Sequence, residues 1–321
     1  MPVEKFKLRA AQIAMTLSSR FGHHLSILIY HRVGQTKDPL RPDCMDAETF
    51  DWQMELLAKY CQPLSLSEAI KLLPQGKLPA RAVCVTFDDG YADNESVALP
   101  ILLRWKIPAV FFVSTGYMNE GCMWNDLILE SVRRYSGTEL DLSDRGLGIY
   151  PTASLEDKIA ANACLNRDLL YLEQATRQQH CDYLASLVEN IPTDLMMTEE
   201  QVRHLHAAGM EVGSHTVTHP ILSTLDEKSV WYELSASKEQ LEAVIKAPVT
   251  LFSYPNGKPQ LDYRDDDIRL VRKAGFEAAV ATHWGVANRH TDRMQLPRFT
   301  PWDRRSDRFL LRMAQNCLRV A

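Results

Sequence analysis

No apolar run in the 321-residue chain approaches the about 18 residues that a membrane-crossing helix requires. The longest, Leu25–Tyr30, Val97–Leu103 and Pro108–Val113, are the size of strands or short helices, so any membrane contact would be peripheral. There is no CxxC pair, and seven cysteines make an odd number, which excludes a zinc-finger pattern and a complete disulfide framework. Buried thiols in a reducing compartment are the expectation. No block of like charge occurs: 36 basic residues are spread against 41 acidic ones for a formal net charge of -5. A partner with a phosphate backbone, DNA or RNA, is therefore not expected. Lys5, Lys7 and Arg9 precede Ala10–Leu17, but Gln12 and Thr16 interrupt any apolar core of a secretion signal. The expected location is cytoplasmic or peripheral to the membrane. Internal repeats and low-complexity tracts are also missing.

What is present suits a folded enzyme: 45% hydrophobic and 24% charged residues, enough to bury a full core. Short apolar runs alternate with helical patterns. Leu25–Tyr30, Ala82–Phe87 and 108–114 read as buried parallel strands, followed by shorter ones at 210–213, 249–254 and 278–281. Helices are expected over 49–60, 65–73, 94–105, 200–208, 230–245 and 266–274. Strand–helix alternation of this kind points to an α/β barrel. One domain over 1–321 is expected, with a mostly helical, strand-free insertion at 117–198 and a C-terminal helix at 304–319.

Two polar clusters follow predicted strands, the position at which parallel α/β folds build their sites. Asp88 and Asp89 stand side by side ahead of Gly90 and Tyr91. On extended backbone neighbouring side chains diverge, so one carboxylate can ligate a metal while the other takes a proton from water; capping of the loop is the alternative. His215 and His219 lie four residues apart in SHTVTH and would converge on one ion if that segment made a helical turn. Two imidazoles and one carboxylate leave a coordination position open for water, the usual form of a catalytic zinc site.

These segments resemble the polysaccharide deacetylases, the NodB-homology branch of carbohydrate esterases known as family 4. VTFDDGY (Val85–Tyr91) is similar to the family's first motif, SHTVTH (Ser214–His219) to its second, FSYPNG (Phe252–Gly257) to its third and LPRF (Leu296–Phe299) to its last. With ILIYHRV (Ile27–Val33), the YPNG form looks most like the branch acting on poly-N-acetylglucosamine. The resemblance implies a distorted (β/α) barrel, a divalent ion on Asp89, His215 and His219, and Asp88 as general base. Zinc is the default, although cobalt, nickel or iron would accept the same donors. Such an ion lowers the pKa of a water it holds from 15.7 to about 7. The implied substrate and partner is an N-acetylated glycan, with the Tyr254 backbone N–H binding the oxyanion. Tyr91, Trp124, Tyr254, Trp284 and Trp302 lie in or near predicted loops and are candidates to stack on sugar rings, Tyr254 (with Pro255 beside it) and Trp124 ahead of the others, core or lid packing being the alternative.

Two departures from the family pattern stand out. Ser253 occupies the neighbourhood in which the third motif carries an arginine, and Arg298 is a candidate to supply that guanidinium. Arg298 also stands where many relatives have a histidine that protonates the leaving amine, and an arginine cannot donate that proton. His31, at the end of the first strand, is the expected substitute, with His283 next. The alternatives are a carbohydrate-binding barrel without catalysis, or a deacetylase of a lipid-linked sugar or an O-acetyl ester.

Overall fold

The computed structural model describes residue 16, residues 24–119 and residues 121–317. Nearly all of the N-terminal stretch weighed as a secretion signal lies outside these residues, as does the predicted end of the last helix at 319. The chain forms two compact units, one of residues up to 36, 45–118 and 197 onward, the other of residues 37–44 and 119–196.

The first unit is built on six parallel strands hydrogen-bonded in chain order: β1 (Leu25–Tyr30), β2 (Ala82–Phe87), β3 (Ala109–Val113), β4 (Glu211–Ser214), β5 (Leu251–Ser253) and β6 (Ala278–Val280). A two-residue strand, Gln62–Pro63, adds beside β2 as the seventh member of the sheet. The stretch Leu296–Phe299 closes the distorted barrel by bridging β6 at Val280 and β1 at Leu28, in parallel with both. Continuous apolar runs are explained by burial on two sides. Ile27, Cys84, Phe112, Leu251 and Val280 pack in one cluster with helix Leu66–Leu72. Leu28, Tyr30, Val85, Phe87 and Phe111 alternate with them and pack in a second, larger cluster.

Local chemistry sets the helix boundaries. Helix Ala47–Tyr60 starts where Asp46 accepts the Thr49 N–H, and helix Glu227–Ile245 starts three residues before the predicted boundary because Asp226 caps it through Ser229. The predicted helix at 94–105 opens with one wide turn, Asn94–Ala98, before the regular helix Leu99–Trp105. Helix Ser306–Asn316 is the C-terminal one.

The second unit contains helices Trp124–Arg134, Leu155–Leu169 and Gln174–Ser186. It is not strand-free: Glu139–Asp141 and Ile149–Pro151 form an antiparallel pair, each strand burying one side chain, Leu140 or Tyr150. Residues 37–44 join it through ion pairs of Asp38 with Arg133 and of Arg41 with Asp126. Among the described residues, no helix is long and apolar enough to cross a membrane.

Candidate active site

Parallel strands all end on one side of a barrel, so the residues after Tyr30, Phe87, Ser214, Ser253 and Val280 are gathered there. The β2 ladder runs on through Asp88, whose N–H donates to the Tyr30 carbonyl at 3.0 Å. Asp89 then takes a left-handed conformation, φ 76°, and Gly90 another at φ 91°. A Cβ on Gly90 would lie 2.9 Å from Val113 Cγ1, so only glycine fits the turn that sends the two carboxylates apart.

The histidines converge, but not through a helical turn. Thr216 and His219 are both left-handed, φ 68° and 54°, and the loop folds back until the two imidazole centroids lie 4.8 Å apart. Such backbone needs support from its surroundings. Buried Glu233 provides it from helix Glu227–Ile245: its carboxylate accepts the N–H groups of Val217 (2.7 Å) and Thr218 (2.9 Å) and the Thr218 hydroxyl (2.6 Å). One turn on, the Ser237 hydroxyl meets that of Ser214 at 2.7 Å. Neither residue was singled out from sequence. Their signal is a glutamate and a serine set into the apolar stripe Val230, Leu234, Leu241.

His215 donates Nδ1–H to the Ser253 carbonyl at 2.7 Å, which leaves Nε2 as the lone-pair nitrogen. Both His215 Nε2 and His219 Nε2 lie 3.5 Å from Asp89 Oδ1, and one donor atom from each residue lies within 4.8 Å of the others. Asp89 Oδ1 is buried without a hydrogen-bond partner among the described residues. The donor set fits a small divalent cation: bonds of about 2.0–2.1 Å at tetrahedral angles set donors about 3.3 Å apart.

The charges of the cluster act strongly on one another. Burial pushes the Asp89 carboxyl upward, but His215, His31 and His219 outweigh it and hold it below the usual range. Burial lowers the pKa of His215, yet Asp88 and Asp89 raise it overall. Burial and the neighbouring His215 bring His219 down to about 4, so it is a neutral donor at pH 7.

Asp88 is held differently. Arg298, completely buried, grips it with both terminal nitrogens, at 2.8 Å to Oδ1 and 2.7 Å to Oδ2. The remaining donors of the guanidinium go to the Thr86 hydroxyl (3.1 Å), the Ser253 hydroxyl (3.0 Å) and, from Nε, the Ala281 carbonyl (3.1 Å). All five N–H groups are therefore used. Burial would raise the Asp88 pKa, but Arg298 and then His215 keep it below the ordinary carboxylate range. Ser253 donates its hydroxyl to Asp88 Oδ2 at 3.2 Å.

His31 is exposed at the end of β1, close enough to Asp88, Asp89 and His219 to act on their charge. Its carbonyl is anchored by Asn94 Nδ2 at 2.7 Å. His283 is half-buried, and burial alone lowers its pKa, with no carboxylate contributing.

The expected sugar contacts are largely corrected. Tyr91 is buried with the Arg32 guanidinium 4.9 Å from its ring centre, so its face is taken. Trp124 packs inside the second unit against Ile128 and Leu165, with Arg177 4.7 Å from its ring. Tyr254 is buried and stacked on Tyr263 at 3.8 Å, and its N–H, expected to bind an oxyanion, is directed at the Val280 carbonyl at 3.3 Å. Pro255 is buried beside it.

Carboxylates and imidazoles gathered at the mouth of a parallel barrel are the equipment of a hydrolase. The chain belongs to the polysaccharide deacetylase family, hydrolases of N-acetyl amide bonds, which matches residues 75–279, more than half its length. That match includes Asp88, Asp89, His215 and His219 but neither His31 nor Arg298. The chain is 22% identical over 267 residues to YxkH of Bacillus subtilis, named provisionally as a polysaccharide deacetylase, covering 83% of this chain and 67% of that protein. A shorter stretch of 57 residues is 40% identical to the poly-β-1,6-N-acetyl-D-glucosamine N-deacetylase of Staphylococcus aureus, covering 18% of this chain and 20% of the enzyme. Among solved structures, the Streptococcus pyogenes deacetylase PplD, in complex with acetate, superposes with a TM-score of 0.61 at 20% identity over 91% of this chain and 98% of that one. IcaB from Ammonifex degensii gives 0.57 at 19% identity over 92% and 97%. These likenesses establish the NodB-type barrel fold.

Proposed function

We propose that the protein hydrolyses N-acetyl groups from N-acetylhexosamine units of a glycan, using a divalent ion held by Asp89, His215 and His219. Zinc suits these nitrogen and oxygen donors, with cobalt, nickel and iron as further candidates. Such an ion supplies Lewis acidity, acidifying water and polarising the acetamide carbonyl. Asp88 takes the proton from the attacking water, and its bidentate clasp by Arg298 aims and preserves the anionic carboxylate for that task. His31 gives a proton to the amide nitrogen as the carbon–nitrogen bond breaks, so that acetate and a free amine leave. Its exposed ring within reach of the Asp88–Asp89 field supports this assignment, and the burial of Arg298 against Asp88 removes the arginine from it.

The observation that carries the proposal is an arginine-clasped carboxylate beside an unsatisfied Asp89–His215–His219 cluster. The partial match to a poly-N-acetylglucosamine deacetylase supports β-linked N-acetylglucosamine as the first substrate to try. Acetate release from N-acetylglucosamine oligomers should stop with a chelator, return with zinc or cobalt, and be missing in Asp88→Asn. Release that survives both chelation and Asp88→Asn would refute the assignment. Release from only a lipid-linked sugar or an O-acetyl ester would move the substrate, and tight glycan binding without turnover at full metal loading would make the protein a binding barrel.

A further inference from the structure

A pair of tryptophans stands on the same barrel face and takes no part in the chemistry above. Leu296–Phe299 lies between β6 and β1 and runs parallel to both, so the chain after Phe299 emerges on the side where His31 and Asp88 lie. The chain after Val280 emerges there as well. Trp284 and Trp302 follow these two ends, and their rings meet at 5.1 Å and 41°. Trp284 also packs edge-on against Phe299 at 6.2 Å, whereas Trp302 keeps 45% of its surface in solvent.

Trp302 is exposed without being loose. Completely buried Gln53 donates its amide N–H groups to the carbonyls of Pro301 (3.0 Å) and Asp303 (3.2 Å), gripping the backbone on both sides of the tryptophan. The amide oxygen of Gln53 accepts the Tyr30 hydroxyl at 2.7 Å, and Tyr30 immediately precedes His31. Buried Asp303 accepts from Arg312 at 3.0 Å, which sets that guanidinium 5.3 Å from the Trp302 ring centre and 6.0 Å from that of Trp284. A buried glutamine, an ion pair and a cation–π backing thus hold an apolar ring at the mouth of the site. A ring ordered before the ligand arrives loses little freedom on binding, and its flat face matches the C–H face of a pyranose.

We propose that Trp302, backed by Trp284 and Arg312, is a stacking platform for a pyranose unit of the glycan flanking the one that is deacetylated. The platform rests on the glycan-hydrolase reading and adds to it a preference for oligomers over the monosaccharide. The sugar contacts expected from sequence at Tyr91 and Trp124 are replaced by this surface.

The test is calorimetric binding of N-acetylglucosamine and its tetramer to zinc-loaded Asp88→Asn protein, alone and combined with Trp302→Ala or Trp302→Phe. Trp302→Ala should weaken tetramer binding about fivefold to tenfold and monomer binding less than about twofold, with Trp302→Phe between. Tyr232→Ala, which removes a still more exposed ring from helix Glu227–Ile245, should bind as the parent does. Unchanged melting temperature and zinc content show that the variants remain folded. Tetramer binding unaffected by Trp302→Ala overturns the platform, as does equal weakening of monomer and tetramer or failure of the parent to bind tetramer. Tetramer binding lost in Trp302→Ala, together with no acetate release by the wild type, upholds the platform and refutes the deacetylase assignment alone.

Discussion

Arg298→Ala tests the clasp on Asp88 most directly. The guanidinium is completely buried, satisfies five acceptor contacts, and neutralises a carboxylate that is itself only 3% exposed. Removing one partner of a buried pair typically costs about 3–5 kcal/mol, because the remaining charge is stranded. At roughly 2–4 °C per kcal/mol for a chain of this order of size, melting should fall by roughly 10 °C. Arg298→Lys keeps the charge but offers three donors instead of five, and should recover part of the loss. The pH dependence carries a sign. With Arg298 in place the Asp88 pKa is depressed, so the pair stabilises above the unfolded value of about 4 and is lost as pH falls through the folded one. Without the arginine, burial dominates and the folded pKa rises, so stability instead declines with rising pH between the unfolded and folded values. The acid limb of kcat/KM should shift to higher pH in step, with activity down about 10²-fold from the misplaced base. Calorimetry across pH 3–8 and a pH–rate profile read both effects. Wild-type melting and an unmoved acid limb in Arg298→Ala would refute the reasoning.

The other ligands and partners give further expectations. His31→Ala should lower kcat by about 10²-fold or more while zinc content stays stoichiometric, and a wild-type rate would remove His31 from proton delivery. Glu233→Ala should raise the zinc dissociation constant about 10- to 100-fold, measured by competition with a chromophoric chelator, and Glu233→Gln less because its amide oxygen still accepts. A Glu233→Ala protein with wild-type zinc affinity would reduce that residue to a packing role. Asp89→Asn should abolish stoichiometric metal in elemental analysis without the melting penalty of Arg298→Ala, since Asp89 Oδ1 has no protein hydrogen-bond partner to lose.

The parts legible in sequence were those fixed by local chemistry. Six-residue runs that are apolar but for Ser26 and Thr86, bounded by polar residues, gave β1 and β2 to the residue, because both faces of those strands are buried. The strand-end position of Asp88 followed from the second of these runs, and that of His215 from the shorter strand expected at 210–213. The antiparallel pair Glu139–Asp141 and Ile149–Pro151 was not legible: with one buried residue per strand it has no period to read. The left-handed backbone at Asp89, Thr216 and His219 was equally hidden, since any non-glycine residue adopts it uncommonly, a β-branched threonine least of all, and only the tertiary frame imposes it. Tyr91 and Trp124 failed as sugar contacts because residue type and loop position say nothing about which way a ring turns. Trp302, one of the loop aromatics weighed for sugar stacking, was ranked below Tyr254 and Trp124 for the same reason, its exposure being set by Gln53, 249 positions earlier in the chain.

Closure of the barrel by Leu296–Phe299 has a consequence for when activity can begin. Asp88 and its guanidinium partner are 210 residues apart, and the bridging stretch that brings Arg298 is synthesised after every strand of the sheet. Asp89, His215 and His219 can all be made, and their loops formed, before it leaves the ribosome. Until it docks, Asp88 lacks its cation and is poorly aimed. Contacts of such long range form late in folding. A nascent or partly folded chain could thus take up metal while lacking a competent base, and hydrolysis would switch on with the final closure step.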